Sequence, residues 1–213
     1  MEYEKLLEIV GDEAVFESGL LLAGSEDPLN VYRQLSRWVS AGKIYQLRRG
    51  VYTLAAPYRK TILHPFLAAN RLQPASYVSL QSALSYYGMI PEYTPVTTSV
   101  TTRRPENLTT PLGRFHYQHI DQRWFHAYRL LELKNEQSAF VATPAKALLD
   151  LIYLHPGADK QEYLVELRLQ FMEQIDMIEL NQLADQANKP KLKRAVEIIQ
   201  QLREEEMTGY EIL

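Results

Sequence analysis

Residues 43–54, KIYQLRRGVYTL, decide the fold of the first part of the chain. Two short apolar runs, at 44–47 and 51–54, lie on either side of the tripeptide RRG. Such runs separated by a Gly-containing turn are typical of a β-hairpin, because glycine tolerates the positive φ that the turn needs. The stretch therefore predicts two antiparallel strands joined at Arg48–Gly50, with two adjacent arginines at the tip.

Three helices are predicted before this hairpin. Apolar residues recur at helical spacing in residues 3–10 and 12–23, which we predict as the first two helices. The third is predicted from Pro28 to Ala41, because Asp27 before a proline is a helix start and Gly42 is a stop. Three helices followed by a hairpin have the order of a winged helix-turn-helix.

The third helix has one apolar and one polar face. Its apolar residues are Val31, Leu35, Trp38 and Val39, and its polar face carries Asn30, Arg33, Gln34 and Arg37. Arginine pairs with the guanine edge in the major groove of DNA, and asparagine and glutamine pair with adenine. We expect this face to contact bases, while Lys43, Arg48 and Arg49 contact phosphate or a narrow minor groove. The alternative is that these side chains only keep a helix face and a turn soluble.

The charge of the chain is unevenly distributed. The formal net charge is −3, yet residues 31–104 contain ten Lys and Arg and one acid. Residues 131–213 contain nine Lys and Arg and fifteen acids. A basic segment followed by an acidic one favours polyanion binding in the first part and a different role in the second.

The remaining sequence predicts an α+β fold. We place an N-terminal winged helix-turn-helix domain at residues 1–57 and a mixed α+β domain with a helical C-terminal tail at 61–213. The predicted helices of the second domain are 65–72, 79–87 and 143–154, with further helices from 159 onward. Its predicted strands are 96–102, 113–120, 127–135 and 138–142, where β-branched or alternating residues occur.

Composition excludes several classes of protein. The chain of 213 residues has no cysteine, which excludes disulfides, thiol catalysis and cysteine-bound zinc. No apolar run approaches the roughly 18–20 residues that a transmembrane helix needs. The acidic, amphipathic start MEYEKLLEIV is unlike a secretory signal. We therefore expect a cytoplasmic protein that does not contact the membrane.

Catalytic and metal-binding motifs are absent from the sequence. It contains no phosphate-binding glycine loop, no HExxH and no nucleophile elbow, so we expect no enzyme activity, metal or cofactor. His116 and His119 would face opposite sides of a strand, which suits one metal ion poorly. Asp150 is four residues from Lys146 on a predicted helix, so pairing is expected rather than catalysis. A metal-dependent nuclease built from scattered acids stays an alternative.

Four segments, in this order and spacing, resemble the AbiEi-type antitoxins, which are transcriptional regulators of type IV toxin–antitoxin and phage-defence loci. They are LRRGVYTL, YVSLQSALSYYGMIP, TPLGRFHYQHI and ATPAKALLDLIYL. The similarity extends over about residues 3–155. It implies an N-terminal winged helix that binds inverted repeats in the promoter of its own operon, and a C-terminal domain with antitoxin activity.

The resemblance also implies partners. Double-stranded operator DNA would be the direct one, and a nucleotidyltransferase-like toxin would be the genetic one, with no requirement for direct contact. The expected function is a repressor that acts as an antitoxin. The main alternative is a protein-interaction module that binds a partner, such as a toxin, through the acidic helical C-terminal region.

Overall fold

The first helices and the hairpin form one small unit in the structure, a computed structural model that describes residues 1–23, 27–92 and 94–210. Its strands form a three-stranded antiparallel sheet in the order β1-β3-β2. The elements, in chain order, are α1 (Tyr3–Val10), β1 (Phe16–Glu17), α2 (Ser18–Leu22), α3 (Pro28–Ser40), β2 (Ile44–Arg48) and β3 (Val51–Leu54).

The helix predicted over residues 12–23 is wrong in its first half. Phe16 and Glu17 pair with Tyr52 and Val51 as strand β1, and helix α2 begins only at Ser18. Phe16 is buried in the core of this unit. Pairing with the hairpin therefore overrides the local helical pattern, as tertiary contacts often do.

Helix α3 agrees with its prediction and ends one residue earlier, at Ser40. The N–H of Asn30 donates to Oδ1 of Asp27 at 3.1 Å, which caps the helix, and a proline occupies its first position. Val31, Leu35 and Trp38 are buried against α1 and the hairpin. The apolar stripe thus fixes the orientation of α3 and directs its other face to solvent.

The second unit is a six-stranded mixed sheet with helices, in agreement with the predicted α+β class. Its strand order is β6-β7-β5-β4-β9-β8, in which β5 pairs with β7, and β4 with β9, in parallel. The strands are β4 (Ser76–Val78), β5 (Val96–Thr101), β6 (Glu106–Thr110), β7 (Gly113–His119), β8 (Tyr128–Glu132) and β9 (Ser138–Ala142). The sequence did not predict β4 or β6.

Helices surround this sheet and complete its core. They are α4 (Pro65–Leu72), α5 (Leu80–Tyr86), α6 (Pro144–Leu154), α7 (Gln161–Glu166), α8 (Met177–Ala187) and α9 (Pro190–Tyr210). Helix α6 contacts α5, α8 and α9, and all of its residues from Ala145 to Ile152 are buried. None of the helices in the described ranges has the length and apolar character needed to cross a bilayer.

The two units have separate hydrophobic cores that meet at the hairpin. Ala14, Val15 and Leu47 belong to the core of the second unit, although they precede it in the chain. The hydroxyl of Thr53 donates to the carbonyl of Ala14 at 2.8 Å and holds this loop against β3. Because Leu47 of the hairpin is buried in the second core, the first unit packs on the second. The domain boundary between residues 57 and 61 stays a prediction.

The start of α4 should make stability depend on pH. The N–H of Phe66 donates to Nδ1 of His64 at 3.1 Å, and burial lowers the pKa of His64 below 6.5. The unfolded chain therefore binds more protons as the pH falls through this range, and stability should fall with it. The loss is at most about 1.4 kcal/mol per pH unit, the limit for one proton.

Urea unfolding between about pH 7 and pH 5 tests this prediction. His64→Asn keeps a side chain that can cap a helix but does not titrate, so the variant should lose less stability in acid than the unaltered chain. His116→Asn is the matched control, because no hydrogen bond of its side chain is found among the described residues. Equal acid sensitivity in the unaltered chain and His64→Asn would contradict the role of His64.

Candidate nucleic-acid interface

The outward face of α3 presents the basic side chains that the sequence predicted. Asn30, Arg33 and Arg37 are exposed. Neither arginine forms an ion pair with any residue in the described parts of the chain. Gln34 is half-buried at the edge of this face, beside the apolar stripe. The two arginines, one helical turn apart, are therefore the best-placed groups of the predicted set to reach a base edge.

Three further residues lie on the same face and were not in the predicted set. Leu29 is 67 % exposed, Tyr32 is 47 % exposed, and Ser36 is also exposed. A helical wheel places Leu29 and Ser36 next to Arg33, on the side away from Arg37, with Tyr32 beyond them, so the 100° spacing of the helix could have identified them. An exposed apolar group next to arginines can contact the methyl group of thymine, and hydroxyls can bond base edges or phosphate.

The two arginines that the sequence predicted at the tip of the hairpin have different surroundings in the structure. Arg48 lies in β2, and its guanidinium donates to the carbonyl of Leu72 at 2.7 Å and pairs with Glu106 at 3.2 Å. The predicted contact of Arg48 with phosphate or a minor groove stays a prediction, and the side chain already has these two partners, which attach the hairpin to the second unit. Arg49 is exposed in the turn and forms no ion pair with a described residue.

The turn itself is fixed against α2. Gly50 has a φ of +79°, which glycine adopts without strain, and its carbonyl accepts the N–H of Ser18 at 2.8 Å. A side chain at position 50 would meet the hydroxyl of Ser18 at 3.3 Å. Gly50 therefore supplies the positive φ that the sequence predicted for this turn. Arg49 lies in the same turn, which the contact with α2 holds in place.

Lys43 precedes the hairpin and is partly held by α1. Its Nζ lies 4.4 Å from the centre of the Tyr3 ring, and its backbone carbonyl accepts the Tyr3 hydroxyl at 3.0 Å. The cation–π contact orients the ammonium group close to the C-terminal end of α3. Lys43 remains half-exposed, directly before strand β2 of the hairpin.

Two arginines of the second unit extend the basic surface next to the hairpin. Arg103 and Arg104 follow β5, are exposed, and line a cleft of about 410 Å³ together with Arg48 and Glu106. Their position after a predicted strand favours a solvated loop over a place in the basic surface. The structure brings them beside Arg48, so positive charge continues from the hairpin onto the second unit.

The carboxylate of Asp150, weighed above as a catalytic candidate, is buried in a network of hydrogen bonds. Its Oδ1 accepts from Nζ of Lys146 at 2.6 Å and from Nε1 of Trp124 at 2.7 Å. Its Oδ2 accepts from the hydroxyls of Tyr77 at 3.0 Å and Ser79 at 2.7 Å. The side chains of Lys146 and Asp150 are both 0 % exposed. The predicted pairing is confirmed, and this carboxylate has no exposed surface.

Burial dominates the electrostatics of this network. It lowers the pKa of Lys146 to about 8, and the neighbouring charge of Asp150 opposes that shift. Burial, with Asp150 beside it, raises the pKa of Tyr77 far above its ordinary value. Lys146 also donates to the carbonyl of Trp124 at 2.8 Å and lies 3.6 Å from the Trp124 ring centre. These contacts join α6 to β4 and to the segment after β7.

The histidines are not gathered with acids into a cluster in the described ranges. In the ranges that the structure describes, no three His, Asp or Glu residues are close enough together to hold a metal ion. His116 is half-buried and His119 is exposed, as expected for positions three apart on β7, and His126 packs edge-on against Trp124. The alternative function of a metal-dependent nuclease therefore gains no support from the described residues.

Comparisons with known proteins do not identify the chain. No model of a known protein family matches the sequence, and no curated protein matches it. A functional conclusion therefore depends on the geometry of the site and on the sequence resemblance described above.

Proposed function

We propose that this protein is a DNA-binding transcriptional repressor that acts as the antitoxin of a type IV toxin–antitoxin locus and represses its own promoter. The observation that carries the proposal is the outward face of α3. Arg33 and Arg37 are exposed there without ionic partners among the described residues, on a helix capped at its start and backed by a core. Such a face can bind a major groove without first breaking internal contacts.

In this proposal the first unit acts as a winged helix. Helix α3 enters the major groove, where Arg33 and Arg37 bond guanine and Asn30 bonds adenine. Gln34, at the edge of the face, and Lys43 contact the backbone, and Arg49 reaches the neighbouring phosphates from the anchored turn. Arg48 has a different role, because it joins the hairpin to the second unit.

The antitoxin part of the proposal depends on the sequence resemblance alone. It is supported by the four segments that resemble AbiEi-type antitoxins, three of which fall on β4, α5, β7 and α6 of the second unit. On this basis we propose a nucleotidyltransferase-like toxin as the genetic partner, inverted repeats as the operator, and the cytoplasm as the location. The two units would then divide DNA binding from antitoxin activity.

Fluorescence anisotropy tests the repressor function. The protein is titrated against labelled duplex from its own upstream region and against a scrambled duplex, at several salt concentrations. We expect tighter binding to the upstream duplex and an affinity that falls steeply with salt, because phosphate contacts release counterions. Equal, weak binding to both duplexes would contradict a sequence-specific repressor. A stable complex with another protein, unaffected by arginine substitutions in the hairpin, would instead favour the interaction module.

The two hairpin arginines provide a matched pair of variants. Arg49→Ala should weaken binding to both duplexes about equally and flatten the salt slope by about one unit, the loss of one phosphate contact. Arg48→Ala should leave the salt slope nearly unchanged and lower the free energy of unfolding, because the carbonyl of Leu72 loses its donor. Anisotropy and urea unfolding measure the two effects. The reverse pattern would mean that Arg48, and not Arg49, contacts DNA.

A further inference from the structure

A second site lies in the six-stranded-sheet unit, in a cleft of about 390 Å³. Three separate segments form it: the turn after β7, the end of α6, and the junction between α8 and α9. Its volume falls in the range of small-molecule pockets. None of its residues belongs to the DNA-binding face proposed above, so the cleft has no role yet.

The rim of the cleft is suited to an anion. Arg123 and Lys189 are exposed on different segments of the rim, and neither forms an ion pair with a residue in the described ranges. Asp121 is the acid at the rim, and its Oδ1 is engaged by the N–H of Arg123 at 2.8 Å. The positive end of helix α9, which begins at Pro190, adds to the field. Two cations that line one cavity, one of them directly before the start of a helix, favour a phosphate group.

The wall of the cleft is aromatic. The rings of Tyr153 and Trp124 stack with their centres 5.7 Å apart and 19° between their planes. His126 packs edge-on against the same indole, with centres 5.5 Å apart. Burial and the charge of Lys146 lower the pKa of His126, so its neutral imidazole offers one donor and one acceptor. Nζ of Lys189 lies 5.3 Å from the centre of the Tyr153 ring, so a flat heteroaromatic ring would pack beside this ammonium against the tyrosine and would find hydrogen-bond partners on His126.

The wall is also held rigidly from behind. Trp124 is 4 % exposed, its indole N–H donates to Asp150 and its carbonyl accepts from Lys146. The network holds the core side of the indole, and the cleft lies on the opposite side of the same ring. A site whose wall is preorganised binds without the cost of ordering it.

We propose that this cleft binds a mononucleotide, with its phosphate on Arg123 and Lys189 and its base against Tyr153 and His126. The combination of paired cations with an aromatic wall selects this class over a simple anion or an uncharged ring. The proposal depends on the second unit alone and does not require that the first unit binds DNA.

Trp124 reports occupancy, because the chain has two tryptophans and the other can be removed by Trp38→Phe. In that variant we expect 5′-AMP, GMP, CMP or UMP to change the fluorescence saturably below about 1 mM, at least about tenfold tighter than inorganic phosphate or the nucleoside. Calorimetry on the unaltered chain gives the same affinity without relying on the variant. Arg123→Ala with Lys189→Ala should weaken binding at least about tenfold.

The exposed pair Arg114→Ala and Lys134→Ala is the matched control, since it removes the same charge from strand β7 and from the loop between β8 and β9. Tyr153→Leu should weaken nucleotide binding and leave phosphate binding unchanged. Three outcomes would overturn the proposal: no saturable binding of any of the four mononucleotides, equal affinity for inorganic phosphate, or equal loss in the control pair.

Discussion

Asp150→Ala is expected to lower the free energy of unfolding by about 3–5 kcal/mol, among the largest effects of any single substitution in the chain. The change leaves the ammonium of Lys146 buried with one remaining acceptor, the carbonyl of Trp124. It also leaves the hydroxyls of Tyr77 and Ser79 without the acceptor that they share. An uncompensated buried charge costs more than the ion pair itself contributes.

Lys146→Ala should be less damaging than Asp150→Ala. The carboxylate left behind keeps three donors, from Tyr77, Ser79 and Trp124, whereas the ammonium left by the reciprocal change keeps only one acceptor. Urea unfolding of both variants measures this order. Lys134→Ala and Glu132→Ala are exposed controls and should stay within about 0.5 kcal/mol of the unaltered chain. If Asp150→Ala unfolded at the same urea concentration as the controls, the network would contribute nothing to stability.

The double variant Arg33→Ala, Arg37→Ala is expected to lose preference for the upstream duplex by a factor of roughly 100 or more. Each bidentate contact with a guanine edge discriminates against other bases by about 1–3 kcal/mol. Binding to the scrambled duplex should weaken much less, because backbone contacts from Lys43 and Arg49 remain. Anisotropy with both duplexes at one salt concentration measures the ratio.

Stability and charge must be controlled in this experiment. Both arginines of α3 are exposed, so alanine should leave thermal unfolding nearly unchanged. Arg114→Ala with Arg129→Ala removes the same charge from exposed positions of the second unit. If the α3 variant kept its sequence preference, or if the control lost as much, base recognition by α3 would be excluded.

Local patterns predicted most of the helices and the hairpin, because their signals lie within a few residues of each other. Asp27 with Pro28 marked the start of α3, and the stripe ending at Trp38 marked its buried face. Strands β1 and β4 were missed for the opposite reason. β1 has two residues and β4 has three, too few for a period, and their partners lie far away in the chain. Strand β6 was missed because its five residues contain a single large apolar side chain, Leu108.

The roles of individual side chains divide in the same way. The pairing of Lys146 with Asp150 was predictable, because a spacing of four places two side chains on one helical face. The contribution of Tyr77 and Trp124 to the network was not predictable from the sequence, because only tertiary folding brings them close to Asp150. Arg48 and Arg49 are neighbours in sequence, and only contact with Leu72 and Glu106 distinguishes them.

The position of β4 has a consequence for the order of folding during synthesis. β4 pairs with β5 on one side and in parallel with β9 on the other, and Val78 faces Val141. A growing chain that has not yet reached residue 142 lacks one neighbour of its central strand. Until then Leu47, which the second core buries, has no finished surface to pack on. We therefore expect the six-stranded sheet to form late during synthesis. The hairpin unit would pack on the second unit only after β9 has left the ribosome.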